Sequence, residues 1–376
     1  MGIEGLIPFL KGKNNPQCMV VQTMPMSSIR KRRLAVDVST QLYSHMSTAY
    51  KKISRSMNLM NGKINQHDLK LMWIDSLLHR LSSLQRMECE LILVFDGKAP
   101  DMKTKTRADR RAIRKKLAED IDRLWTQLNN TLPLDRTYEM IEELRTMMGK
   151  QNHVPEEYAA EFKQLVTGLG YVVVQATGEA DRTCASLCRE GIVDAVLSTD
   201  SDLLTHGCPV LISKILKDGL IEAIRLDAVL YALQLSLEQF QELCIISKCD
   251  YNDGIPGKTI KSLYPIYRHY QSYQVMVMYN PPINCKKLID YSDVNMSECK
   301  LLFEIMPSCL IMEQQIQPPT YTITNEARRT LGETYKEIGY HISIIEGIYR
   351  NQVGGQIGGQ SVDQVGGQMI TDFANL

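Results

Sequence analysis

Seven carboxylates in this chain stand where apolar runs or a helical segment end. Asp37 closes the run from Arg33 to Val36, and Asp96 closes the run from Glu90 to Phe95. Glu179 and Asp181 follow Tyr171 to Gly178, and Asp200 and Asp202 follow Asp194 to Thr199. Asp250 ends a helical segment at Lys248-Cys249-Asp250-Tyr251. In a parallel sheet flanked by helices, functional groups gather beyond the carboxyl ends of the strands. Acids collected there repel one another unless cations neutralise them. Oxygen-only donors favour hard divalent ions, Mg2+ or Mn2+. Two such ions about 3.5–4 Å apart are the usual device for in-line phosphodiester hydrolysis. Taken singly, each acid could instead serve only as a helix cap, and Glu179 and Asp181 could simply favour a helix start near residue 178.

A basic segment lies beside one of these acids. From Asp96 to Lys116 there are nine Lys or Arg and three Asp, although the whole chain has a formal net charge of zero. Lys103, Arg107, Arg110, Arg111 and Arg114 fall at i, i+4, i+7, i+8 and i+11, which makes one stripe on a helix. Such a stripe is either a solvated face or a grip for an anionic ligand, which would offset the repulsion between like charges. Lys115–Glu119 and Lys116–Asp120 are spaced to pair, so the unpaired stripe is local.

The elements that must position these groups alternate. Strand patterns fall near 33–39, 90–96, 171–176, 195–199 and 209–214. Helical patterns fall near 40–54, 66–87, 179–190, 227–233 and 237–249, with a long charged helical stretch over 103–153. This alternation predicts an α/β fold with a mainly parallel sheet. At 376 residues and 44% apolar residues the chain can build a sizeable core. No apolar run approaches a membrane span, and no signal peptide is visible. Leu6 occupies the position where a myristoylation signal wants Ser or Thr. The ten cysteines lack any CxxC spacing, which points to reduced, mostly buried thiols in an intracellular protein rather than to zinc. The stretch 264–350 has no clean periodicity, and Gln352 to Gln368 is a Gly/Gln-rich tail expected to be disordered.

Six segments, taken in order, resemble the flap endonuclease/XPG structure-specific 5′ nucleases. They are Met1-Gly2-Ile3-Glu4-Gly5-Leu6, Asp37-Val38-Ser39, Phe95-Asp96-Gly97-Lys98-Ala99-Pro100, Gly178-Glu179-Ala180-Asp181, Thr199-Asp200-Ser201-Asp202 and Asp250-Tyr251-Asn252-Asp253-Gly254-Ile255-Pro256-Gly257. The short interval from Asp96 to Glu179 is similar to the compact flap endonuclease branch. The resemblance implies a PIN-like, mainly parallel sheet flanked by helices, with a helical arch inserted and a shortened helix-hairpin-helix element. On that basis residues 1–102 form the first part of a nuclease core, 103–153 the arch, 154–263 the second part of the core, 264–350 a C-terminal helical region and 351–376 the tail.

The resemblance also implies roles. Asp37, Asp96, Glu179, Asp181, Asp200, Asp202 and Asp250 correspond to acids holding two Mg2+ ions, with Mn2+ able to substitute. Lys103 and Arg110 correspond to catalytic cations. Gly2, Tyr43, Arg107, Arg111, Arg114, Gly254, Gly257 and Lys258 correspond to DNA contacts, Tyr43 by stacking on a nucleotide or, on its own pattern, as a core tyrosine. Asp181 departs from the family's Glu, and its shorter side chain favours a bridging water over direct ligation. Arg182 stands where a small residue is usual and could pair with an acid or reach a phosphate. Gly254 to Thr259 is not a P-loop, because only two residues separate its glycines. It resembles the start of the family's phosphate-binding hairpin, with a second turn missing, which puts the family's potassium site in doubt.

The expected activity is cleavage of 5′ flap or junction DNA, with 5′–3′ exonuclease action, in replication, repair or recombination. The expected setting is a monomer in the nucleus or at a viral replication site, with no membrane. The shortened hairpin would suit a divergent homologue such as one from a large DNA virus. Ile370 to Ala374 weakly resembles a sliding-clamp peptide. The competing readings are a 5′–3′ ribonuclease on a related core and a non-catalytic junction-binding recombination protein.

Overall fold

The computed structural model describes residues 2–12, 19–56, 64–279, 290–292 and 294–307. The strands are β1 (Val21–Pro25), β2 (Arg33–Asp37), β3 (Glu90–Phe95), β4 (Val172–Gln175), β5 (Ala195–Leu197), β6 (Val210–Ile215) and β7 (Leu220–Arg225). The helices that frame the sheet are α1 (Leu6–Leu10), α2 (Val38–Ser56) and α3 (Gln66–Arg86), then α4 (Thr104–Asn130), α5 (Tyr138–Met148), α6 (Glu156–Gly168) and α7 (Ala180–Arg189). They are followed by α8 (Asp202–Thr205), α9 (Leu226–Leu233), α10 (Leu237–Ile246), α11 (Ile260–Tyr270), α12 (Tyr273–Tyr279) and α13 (Met296–Leu302).

The strands form one sheet in the order β1-β7-β6-β5-β2-β3-β4. From β6 through β4 all neighbours are parallel, whereas β7 runs antiparallel to β6 and β1 antiparallel to β7. The central strands read as unbroken apolar runs because both of their faces are covered. Leu91, Leu93 and Phe95 point into one core, with Trp73 and Phe162, while Ile92 and Val94 point into the other, with Leu187 and Phe240. Helix α2 lays Leu42, Met46, Ala49 and Ile53 on the first of these cores, an i, i+4 to i+11 stripe of the kind that buries one helix face. Because β2, β3, β4 and β5 are parallel, their carboxyl ends all open at one edge of the sheet.

All five strands expected from the sequence are present. Two strands were not expected. β6 and β7 form a hairpin closed by Asp218 and Gly219, with Leu216 N–H donating to Leu220 O at 2.8 Å. An Asp-Gly pair between apolar runs is a strong turn signal, so β7 was readable. Edge strand β1 was less so, since it buries little. The stretch 103–153 is helical throughout most of its length, as α4 and α5. Of the 27 residues of α4 only Leu128 is buried, and it packs with Leu144 and Met148 of α5. The first half of α4 therefore has no apolar core of its own. Helix α6 was not anticipated. Helix α11 spans the boundary expected at residues 263 and 264. The tail and the clamp-like segment lie outside the described residues. No helix among the described residues is long and apolar enough to cross a membrane.

Candidate metal centre and the base of the arch

All seven acids occupy the segments that leave the strand ends or the loop after α10. Asp37 is the last residue of β2 and is 3% exposed. Its Oδ2 accepts from Ser198 Oγ at 2.7 Å, and its Oδ1 accepts from Thr40 N at 3.3 Å, so it also caps α2. Burial first, then the charges of Asp96 and Asp200, raise its pKa to about 7, although Ser198 and Thr40 pull it down. Asp96, just past β3, is exposed, accepts from Ser39 Oγ, and accepts from Ala180 N at 2.7 Å. Asp200 Oδ1 accepts from Asp202 N at 3.0 Å, which closes the turn that begins α8. Burial holds the Asp200 carboxyl above its ordinary range.

Asp202 is completely buried, and neither of its carboxylate oxygens has a hydrogen-bond partner. Burial and the neighbouring Asp200 push its pKa well above the usual carboxylate range. Asp200, Asp202 and Asp250 each bring a carboxylate oxygen within 4.8 Å of the others. Buried carboxylates without donors are costly unless a cation is bound. The all-oxygen set, the mutual proximity and the orphaned Asp202 oxygens fit a hard divalent ion. Asp181 is buried as well, and burial together with Glu179 raises its pKa far above normal.

Asp250 does not end a helix. Helix α10 stops at Ile246, Lys248 takes a left-handed φ of 84°, and Cys249 bridges to Asn252 around a tight turn that carries Asp250. Glu179 stands at the N-cap position of α7 without capping it; its side chain accepts from Lys103 Nζ and from Tyr251 OH instead. The capping-only reading therefore fails for Glu179 and holds in part for Asp37.

The basic stripe divides in two. Lys103 lies in a short 3-10 turn, Asp101–Lys103, ahead of α4 and is 8% exposed. Its Nζ pairs with Glu179, lies 3.4 Å from Asp250 Oδ2 and sits 4.7 Å from the Tyr251 ring centroid. Burial works against its charge, yet Glu179, Asp181 and Asp250 hold its pKa above the ordinary lysine value. Arg110 Nη2 donates to Asp250 Oδ1 at 2.7 Å, and Thr106 Oγ1 donates to the Asp250 carbonyl at 2.8 Å. Arg107 and Arg111 are exposed on α4 with no partner among the described residues, and Arg114 is half-buried with Nη1 3.5 Å from His153 Nδ1. The expected pair Lys116–Asp120 is replaced by Arg123–Asp120 at 2.8 Å, while Lys115–Glu119 forms at 3.9 Å.

Gly2 is folded against the acid loop. A Cβ there would meet Asp200 Oδ1 at 2.3 Å, and the next residue, Ile3, donates its N–H to Ser201 Oγ at 2.9 Å. Tyr43 is half-buried on α2 against the first core. Gly254 is buried with φ 68°, whereas Gly257 is exposed and Lys258 half-buried. Internal packing thus explains Gly254, and Gly257 and Lys258 remain at the surface. Arg182 is half-buried and pairs with no acid side chain among the described residues; its Nη2 donates to Glu304 O at 3.3 Å. Sequence reasoning missed Ser39, Ser198, Tyr251 and His206. The first three stand within two residues of expected acids, a signal that was available. A cleft of about 830 Å³ opens beside the acids, lined by Gly2, Ser201, Asp250, Thr106, Arg110 and Lys248.

The comparisons agree with this construction. The XPG N-terminal domain model matches residues 1–117, and the XPG I-region model matches residues 170–250. The chain belongs to the flap endonuclease/XPG family. It is 28% identical to Flap endonuclease 1 of Cryptosporidium muris over 291 residues, covering 74% of this chain and 57% of that protein. It is 31% identical to Flap endonuclease 1-A of Oryza sativa subsp. japonica over 261 residues, covering 68% and 63%. The chain spans little more than half the length of the first of these relatives. The fold is similar to the catalytic core of Rad2 in complex with DNA substrate, at TM-score 0.63, 15% identity and 92% and 99% coverage. It is also similar to human GEN1 in complex with Holliday junction DNA (TM-score 0.60, 16% identity, 96% and 82% coverage). Flap endonuclease-1 from Methanococcus jannaschii matches at TM-score 0.57 and 20% identity, with 88% and 98% coverage.

Proposed function

We propose that this chain is a divalent-metal-dependent, structure-specific 5′ nuclease that cuts 5′ flap or junction DNA and also trims DNA from 5′ ends. The observation that carries this reading is the buried, donor-free carboxylate of Asp202 beside Asp200 and Asp250, with Lys103 and Arg110 at the base of the arch both reaching Asp250. A cluster that needs positive charge and faces a cleft is suited to an anionic backbone arriving with its metal.

Asp200, Asp202 and Asp250, with Asp181, Glu179, Asp96 and Asp37 around them, would hold two Mg2+ ions, with Mn2+ as a substitute. When bound, these ions supply an activated water and polarise the phosphate. Lys103 and Arg110 then face the charge that develops on the phosphate, and stabilising such charge is where fixed cations accelerate reaction most. Exposed Arg107 and Arg111 grip phosphates along the incoming strand. Arg114, Tyr43, Gly2 and the surface residues Gly257 and Lys258 complete the DNA contacts, with Gly254 shaping the hairpin. The protein works as a monomer in the nucleus, or wherever its DNA is replicated; a sliding-clamp contact through Ile370 to Ala374 belongs to the same proposal.

The test is cleavage of labelled flap, nick, gap, splayed-arm and all-RNA substrates with and without Mg2+. Metal-dependent cutting at the single-strand/duplex junction of DNA is the expected result. A preference for RNA would establish the ribonuclease reading, and tight junction binding without turnover would establish the non-catalytic one.

A further inference from the structure

His206 follows α8 and is 3% exposed, yet neither ring nitrogen makes a hydrogen bond. Its ring packs edge-on against Phe303, with centroids 5.1 Å apart. Its Nε2 lies 3.7 Å from Asp181 Oδ2, just beyond hydrogen-bond reach. Both residues line a cavity of about 60 Å³ with Arg182, Thr183, Glu179 and Tyr251. Arg182 Nε is buried there and is also without a partner. Burial disfavours a charged imidazole, and a neutral ring carries one N–H. Buried polar atoms left unpaired are costly, so two unpartnered groups lining one cavity beside Asp181 call for an account. The volume admits a water, which needs about 10–15 Å³ and two or more polar partners.

We propose that His206 is a positioning residue for Asp181: its Nε2–H, through one water in this cavity, fixes the carboxylate and so sets the metal affinity of the acid cluster. The inference rests on the metal-site reading above and deepens it. Asp181 is a short side chain held at one oxygen by its neighbour, since Oδ1 accepts from Arg182 N at 2.6 Å. Its Oδ2 has the imidazole Nε2 at 3.7 Å as its salt-bridge-range neighbour among the described residues. A donor at that point fixes the second oxygen and leaves its remaining lone pair for a cation. Partners that orient a ligand in this way typically change metal affinity about 10–100-fold when removed.

The experiment is titration of the full chain with Mn2+ alone, followed by electron paramagnetic resonance, for the unaltered protein and for His206→Phe, His206→Gln and His206→Asn. Gln places an N–H near the Nε2 position, and Asn places one near Nδ1. The expected result is Mn2+ binding weakened roughly tenfold or more in His206→Phe and His206→Asn, and within about threefold of the unaltered protein in His206→Gln. No nitrogen coupling should appear on the bound Mn2+, because the ring acts through Asp181. Equal affinity in His206→Phe and the unaltered protein, equal weakening in His206→Gln and His206→Asn, or a direct nitrogen coupling would each overturn the inference alone. Thermal unfolding in chelator identifies a variant that has lost its fold, and the Gln/Asn contrast still decides the matter if Phe does not fold. Failure of the unaltered chain to bind Mn2+ overturns the metal-site reading and this inference with it.

Discussion

Lys103 Nζ is inserted between Glu179 and Asp250, residues 76 and 147 positions further along the chain, and lies 3.4 Å from Asp250 Oδ2. The base of the arch is thereby tied to both the strand-end acids and the loop after α10. The ammonium supplies part of the positive charge that the buried cluster requires. A divalent ion entering the cluster competes with it for the same oxygens. Lys103→Ala should therefore tighten Mn2+ binding by roughly fivefold or more, since close charge pairs are worth about 1 kcal/mol and upward. The same variant should lower the single-turnover rate on a bound flap by about 100-fold. Isothermal titration and quench-flow check the two halves separately; weaker metal binding would show that Lys103 orders the acids rather than competing for them.

Arg110 is 2.7 Å from Asp250, while Arg107 and Arg111 have no partner among the described residues. Loss of Arg110 should therefore reduce rate more than affinity. Arg107→Ala and Arg111→Ala should mainly weaken binding and flatten the slope of log affinity against log salt by about 1 each. Filter binding across a salt series gives the slopes. Equal losses of rate and affinity in all three variants would mark α4 as a generic phosphate patch.

Asp202 offers a prediction with the opposite sign for stability and activity. Its carboxylate is buried with both oxygens unpartnered. Asp202→Asn should stabilise the protein in chelator by about 1–3 kcal/mol, because the cost of keeping an ionisable group buried among other acids is removed at near-constant shape. Added Mn2+ should stabilise the unaltered chain and leave the variant unchanged, as ligand linkage requires. Denaturant melts with and without metal measure both; a variant destabilised in chelator would mean that Asp202 is satisfied in solution.

Much of this architecture is written plainly in the chain. Five apolar runs give five parallel strands, and four of them, β2, β3, β4 and β5, lead into acids and bring those carboxylates to one edge. What the sequence conceals is the partner each charge chooses. Lys103 and Arg107 share a stripe at i, i+4 spacing, yet one is buried among acids and the other is solvated, because the 3-10 turn ahead of α4 redirects Lys103. Asp250 looks like a helix end, and only the left-handed Lys248 shows that a turn delivers it. His206 and Arg182 are separated by 24 positions and share no spacing pattern, so their meeting over Asp181 depends on how α7 packs against α8.

Gly254 is the backbone test of the hairpin. It holds φ 68°, and a Cβ at that position would meet Lys248 N at 2.4 Å and Ile246 O at 2.8 Å. Both contacts are backbone, so neither can move away cheaply. Gly254→Ala should destabilise by about 1–3 kcal/mol and displace Asp250, weakening metal binding together with stability. Denaturant melts and Mn2+ titration on the same preparation check it; an unchanged melt with normal Mn2+ affinity would mean that the turn adapts. The surface positions give the complementary result. Shortening the duplex on the hairpin side should cost little rate, and potassium should behave like sodium, if the hairpin grips as weakly as its length implies.

Two buried imidazoles, His45 and His206, make the fold acid-sensitive, and His45 is the one away from the acid cluster. It is 9% exposed on α2, with Nδ1 2.7 Å from Ser76 Oγ, and it touches none of the seven acids. Burial, then the charges of Arg80, Lys52 and His79, lowers its pKa to about 4. In the unfolded chain the imidazole returns to its ordinary value near 6.5. Between these two values the unfolded chain binds the proton and the folded chain does not. Stability is therefore full above about pH 6.5 and falls as pH drops toward 4. A difference of that size corresponds to roughly 3 kcal/mol at the acid end. His45→Gln, which keeps a polar contact for Ser76 without a titrating ring, should remove the His45 share of the slope between pH 6.5 and 4 and leave a comparable share from buried His206. Urea melts at half-unit pH intervals, run in chelator for both proteins, give the difference directly, and parallel stability curves across that window would place the acid sensitivity elsewhere.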